Sequence, residues 1–128
     1  MADIKTDISI APERLTAAEF NEADMKFSVE NVGEGVYWVE CMIEVQQPLS
    51  LAPDRILTIG KTLVGIIGQG HKREKRQKLY ASKNLKPGSY NLKLTFYMYD
   101  EDGVIADRKE HLKEIECVDP VSQNAKVL

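Results

Sequence analysis

Eight consecutive residues, His71-Lys-Arg-Glu-Lys-Arg-Gln-Lys78, hold six Lys, Arg or His side chains against a single Glu. A run of this kind suits a polyanion, because each cation that neutralises a phosphate releases condensed counterions. Lys72, Arg73, Lys75, Arg76 and Lys78 are therefore the candidate anion contacts, with nucleic acid as the partner they imply. The same residues also fit a plainer role. The run leads without a break into Leu79-Tyr-Ala81, and no aromatic side chains are interleaved in it for bases to stack on. That is the pattern of a solvated edge strand, where Lys and Arg discourage pairing with a foreign sheet. With a net charge of −3, any attraction to nucleic acid is local.

Other chemistry-bearing residues are scattered. Gly60-Lys61-Thr62 resembles the end of a phosphate-binding loop, but the glycine needed five positions earlier is Arg55, and no amphipathic helix follows. Gly65-Ile-Ile-Gly68-Gln-Gly70 has the glycines of a dinucleotide turn in the wrong order. His71 and His111 are isolated, Cys41 and Cys117 form no Cys-x-x-Cys pair, and Asp100/Asp102 lack the downstream Glu of a calcium loop. No Gly-x-Ser-x-Gly elbow is present, and neither histidine has a nucleophile at a recognisable spacing. The expectation is a protein that is not an enzyme, with no catalytic residues, no metal and no cofactor.

The dominant periodicity along the chain is two. Met25, Phe27 and Val29 alternate with polar residues, and Asn31-Val-Gly-Glu-Gly35 supplies a turn. Tyr37, Val39, Cys41, Ile43 and Val45 share one strand face. Tyr90, Leu92, Leu94, Phe96 and Met98 define the cleanest strand. The Asp-Gly in Asp100-Glu-Asp-Gly103 then marks a hairpin into a partner running from Val104 to about Val118. Weaker candidates are Ile4–Ile10, Ile56–Ile67 and Lys72–Ala81, which brings the count to about seven strands. Leu63-Val-Gly-Ile-Ile67 fits a buried strand. Helical periodicity has one foothold, around Leu15–Phe20, and it is too short to matter. A chain of 128 residues holds one domain, placed at residues 1–118 with a C-terminal tail at 119–128.

Phasing these strands puts Trp38, Met42, Tyr97 and Tyr99 opposite the core, on neighbouring strands. Aromatic and sulfur-containing side chains gathered on one exposed face have the composition of an interface hot spot. Two other readings stand beside this one. A one-residue error of phase would swap the faces, and the Pro48–Gly70 segment could fold over the patch.

Two stretches, Phe27-Ser-Val-Glu-Asn-Val-Gly33 and Leu85-Lys-Pro-Gly-Ser-Tyr90 followed by the alternating strand and its Asp-Gly hairpin, resemble CARDB-like immunoglobulin-fold domains, which are related in shape to fibronectin type III. The resemblance implies an all-β, immunoglobulin-like antiparallel sandwich. It also implies that the Tyr90 hydroxyl bonds back to the backbone upstream, as a tyrosine corner does. Members of the family are adhesion, spacer or assembly modules. This chain departs from them in its insertion-like Pro48–Gly70 segment and in showing no export signal.

The functional expectation is a non-enzymatic interaction or assembly module, self-associating or binding another protein through the Trp38/Met42/Tyr97/Tyr99 face. The alternative is an anion-binding module using the basic run. No apolar stretch approaches the length of a membrane span, and two reduced, buried cysteines fit a cytoplasmic protein, or an extracellular one if the chain is a fragment of a longer protein.

Overall fold

Runs that alternate apolar and polar side chains bury one face only when they pair into sheets. In the computed structural model, which describes residues 3–119, they form nine strands: β1 (Ile4–Ala11), β2 (Arg14–Thr16), β3 (Asn21–Asn31), β4 (Tyr37–Val45), β5 (Leu49–Ser50), β6 (Ile59–Ile67), β7 (Lys72–Ala81), β8 (Gly88–Tyr99) and β9 (Ile105–Val118). Residues 120–128 of the expected tail lie outside the described residues. The strands make two sheets, one in the order β1-β3-β7-β5 and one in the order β2-β9-β8-β4-β6. The two strands beyond the expected seven are the short β2 and β5. Among the described residues no helix is long and apolar enough to cross a membrane.

The inner faces meet in one core. Phe27 of β3 stands edge-on to Phe96 of β8, with ring centroids 5.9 Å apart at 67°, a geometry that sets the positive ring edge against the negative face. The Tyr90 hydroxyl donates to the Lys86 carbonyl at 2.6 Å, above a buried Leu85. The tyrosine corner is therefore present where the resemblance placed it.

The helical foothold resolves as expected, and two other local readings need correction. The helical foothold at Leu15–Phe20 forms no helix: Leu15 and Thr16 end β2, which runs parallel to β9 and buries Leu15, and a turn follows. Asn21 then serves Thr16 as a strand would, its side chain accepting from the Thr16 amide at 3.0 Å and donating to the Thr16 carbonyl at 2.7 Å. A few residues of helical pattern cannot offset the cost of helix nucleation.

The Pro48–Gly70 segment is not an appendage. Leu49 and Ser50 pair with β7, and the buried Ser50 hydroxyl accepts from the Ala52 and Leu57 amides at 3.1 and 2.9 Å, closing the loop on itself. The chain then enters β6, the edge of the five-stranded sheet.

Leu63–Ile67, finally, is not a buried strand. Only Val64 and Ile67 are buried, while Leu63 and Ile66 face solvent. A register shift opposite Val39/Glu40 inserts one extra residue into β6, and Gly65 takes φ +123° there. A residue with a Cβ rarely adopts that conformation, so the glycine lets the alternation reset within one strand.

Candidate interaction face

The outer face of the five-stranded sheet reads as rows of cross-strand neighbours on β6, β4, β8 and β9. The first row is Ile66–Trp38–Tyr99–Ile105, and the second is Leu63–Glu40–Tyr97–Arg108. The third row is Lys61–Met42–Thr95–Glu110, and the fourth is Ile59–Glu44–Lys93–Leu112. All nine strands belong to the two sheets, so among the described residues no further strand lies over this face.

The phase expected from the sequence is the phase observed. Trp38, Met42, Tyr97 and Tyr99 all lie on this face, though with unequal standing. Trp38 is 46% exposed and its ring leans on Tyr99 at 6.0 Å and 48°. Tyr97 and Met42 sit half-buried one and two rows farther along, diagonal to each other, where long side chains still reach. Sequence reasoning missed Ile66, Leu63 and Ile105, which are 63%, 52% and 54% exposed and extend the apolar end across four strands. The Gly65 bulge hid the first two, because strict alternation cannot place both on one face. With Val36, they line a groove of about 750 Å³ beside Trp38, rimmed by Arg73 and by Asp100 and Glu101.

Away from the apolar row the charges are paired within the face. Lys61 meets Glu40 at 3.7 Å, Lys93 meets Glu44 at 3.9 Å and Glu110 at 3.6 Å, and Arg108 pairs with Glu110. The Tyr99 hydroxyl reaches the Glu40 carboxylate at 3.4 Å. Burial first, then that carboxylate, raises its pKa, so the hydroxyl keeps its proton.

The basic run is divided by the pleat of β7. Lys72, Arg76 and Lys78 stand opposite Glu30, Lys26 and Asp24 on the outer face of the four-stranded sheet. Lys78 bonds Asp24 at 3.3 Å and Glu22 at 3.8 Å, and Lys72 lies 3.9 Å from Glu74. Arg73 and Lys75 stand opposite the buried Val29 and Phe27, hence on the other face. The Arg73 Nε donates to the Ile66 carbonyl at 3.2 Å, closing the seam between β7 and β6. The five cations form an interleaved mosaic, not one continuous stripe.

The remaining candidates are engaged in structure. Burial pushes the Cys41 thiol up to about 12 and raises the Cys117 thiol as well, which disfavours the nucleophilic thiolate. His111 closes the seam between β9 and β1, with its Nε2 2.6 Å from the Thr6 hydroxyl and its ring edge-on to Phe96 at 5.6 Å. Among the described residues no three His, Cys, Asp or Glu side chains converge as metal ligands.

Burial chiefly, helped by Lys113 and Lys109 against the opposing Asp7, lowers the His111 pKa from 6.5. The unfolded chain then binds a proton that the folded chain does not. Stability is accordingly intact above about pH 6.5 and falls as the pH drops from there toward the folded pKa. Urea midpoints measured at pH 7.5 and 5.5 check this, and His111→Gln is expected to flatten the difference.

No family model matches the sequence, and no curated protein does. Among solved structures, the fold aligns with a CARDB domain from Pyrococcus furiosus, itself determined in complex with di-metal ions. That alignment has a TM-score of 0.54 and 15% identity, over 91% of this chain and 89% of the other. A second alignment is with Spo0M, a sporulation control protein from Bacillus subtilis, at TM-score 0.54 and 12% identity, over 91% of this chain and 50% of that one. A third is with AvmM, which catalyses macrocyclization in alchivemycin A biosynthesis, at TM-score 0.52 and 10% identity, over 91% and 90% of the two chains. Identities this low speak for fold alone, and one fold carries many activities. The chain thus has the immunoglobulin-like β-sandwich fold of a CARDB-like domain.

Proposed function

We propose that this protein is a non-enzymatic interaction module that self-associates through the outer face of its five-stranded sheet. The observation that carries the reading is the uncovered row Ile66–Trp38–Tyr99–Ile105, apolar across four strands and continuous with Leu63. Removing such a row from water is favourable by roughly 25 cal/mol for each Å² of apolar surface. Trp and Tyr, rigid and broad, are the side chains that most often dominate an interface.

A second copy suits the face for an electrostatic reason. Its rows carry Lys61, Lys93 and Arg108 against Glu40, Glu44 and Glu110, so it is neutral although the chain carries −3. A neutral face neither repels its own copy nor steers in a highly charged partner.

Sedimentation velocity between about 10 µM and 1 mM tests the reading in the range expected of a small interface. The expected result is reversible, concentration-dependent dimerisation, weakened about tenfold or more by Trp38→Ala. A sedimentation coefficient that stays monomeric over the whole range would overturn it.

A further inference from the structure

The cross-strand register makes the face self-complementary under one particular symmetry. Consider two copies packed face to face about a two-fold axis that runs along the strands, between β4 and β8. Each β4 then lies over β8 of the second copy, each β6 lies over β9, and rows keep their level. The first row sets Trp38 on Tyr99 of the second copy and Ile66 on Ile105. The second sets Glu40 on the Tyr97 hydroxyl and Leu63 on the aliphatic stem of Arg108. The third sets Lys61 on Glu110 and Met42 on Thr95. The fourth sets Glu44 on Lys93 and Ile59 on Leu112, the most exposed of the large apolar side chains at 76%. Apolar groups meet apolar groups at both ends, and each acid meets a cation or a hydroxyl.

This match is not automatic. If the second copy is reversed along the strands instead, Trp38 falls on Glu44 and Tyr99 on Lys93, which strips water from that ion pair and sets no charge of the second copy against it. If the copies are merely shifted by one row, Trp38 falls on Tyr97 and Glu40 on Thr95, and the paired ends are lost.

We infer that the chain forms an isologous dimer by aligned sheet-on-sheet packing about this axis, with Trp38 against Tyr99 and Glu44 against Lys93 of the second copy. The inference rests on the self-association proposed above and adds its register. Aligned sheets cross at about 30°, so correspondence is tightest on β4 and β8, nearest the axis, and relaxes on β6 and β9. The shared footprint is about 20 Å by 25 Å from strand spacing and rise. That is the small end of specific interfaces, among weak and transient contacts.

The register is tested by a pair of charge reversals. Glu44→Lys places two cations against each other in its homodimer, and Lys93→Glu places two anions. Each is expected to weaken self-association about tenfold or more. Mixing the two variants makes both contacts complementary again, and the mixture is expected to form a heterodimer within about threefold of wild-type affinity. Both side chains are partly exposed, and circular dichroism checks that each variant folds. If wild type dimerises while the mixture is no tighter than either variant alone, this register is wrong and self-association stands. If wild type stays monomeric at about 1 mM, both fall together.

Discussion

Asn31→Ala is expected to lower folding stability by about 3 kcal/mol, because it leaves several buried polar groups without partners at once. Asn31 is wholly buried at the end of β3. Its side-chain oxygen accepts from the Gly33 amide at 3.1 Å, and its side-chain nitrogen donates to the Gly35 carbonyl at 3.0 Å and the Ile67 carbonyl at 3.2 Å. Its main chain is also engaged, donating to the His71 carbonyl and accepting from the Gly70 amide, both at 2.9 Å. One residue therefore ties the β3–β4 turn to the end of β6 and to the β6–β7 turn. Asn31→Asp is expected to be at least as damaging near neutral pH. It keeps the acceptor for Gly33 but turns a second oxygen toward two carbonyls and buries a charge. Urea denaturation with an unchanged m-value measures both. A loss under about 1 kcal/mol for the alanine variant would show that water replaces these bonds without penalty.

Phe96→Ala is expected to cost about 4 kcal/mol, in the usual range for truncating a buried aromatic ring. The ring is fully buried and touches both walls of the sandwich, Phe27 at 5.9 Å and His111 at 5.6 Å. No neighbour can collapse into the space without moving a sheet, so the cavity persists. Phe96→Leu fills most of that volume and is expected to cost about 1.5 kcal/mol. The alanine variant has a second readout. It opens the imidazole of His111 to water, so the loss of stability between pH 7.5 and 5.5 is expected to shrink along with the burial that causes it. Chemical denaturation of the three proteins at both pH values checks the two claims together. Equal acid sensitivity in wild type and Phe96→Ala would mean that the ring does not shield the histidine.

Much of the architecture was legible along the chain, and for a local reason. In β4 and β8 each inward residue alternates with an outward one, so types alone fix which face is buried: Val39, Cys41 and Ile43 inside, Trp38 and Met42 outside. Tyr90 and Asp100–Gly103 announce their corner and hairpin through bonds made within a few residues, as with the Asp100 carboxylate accepting from the Asp102 and Val104 amides at 2.9 and 3.0 Å. Leu15–Phe20 announced neither helix nor strand, because a short apolar cluster is compatible with either period, and what decides it is the distant end of β9.

The candidate site divides along the same line. By itself, the sequence pointed to an all-β sandwich and grouped Trp38, Met42, Tyr97 and Tyr99 on the faces opposite the expected core, because side-chain direction in a strand follows from position. Tertiary structure alone decided which residues share a row. Ile66 and Leu63 join Trp38 only because β6 pairs with β4 and changes phase at Gly65. The basic run of β7 lost its continuity for the same kind of reason: the pleat sends Arg73 and Lys75 to one face, and the pairing with β3 sets acids among the cations left on the other. Strand register is a property of two segments far apart in the chain. No inspection of either segment alone contains it.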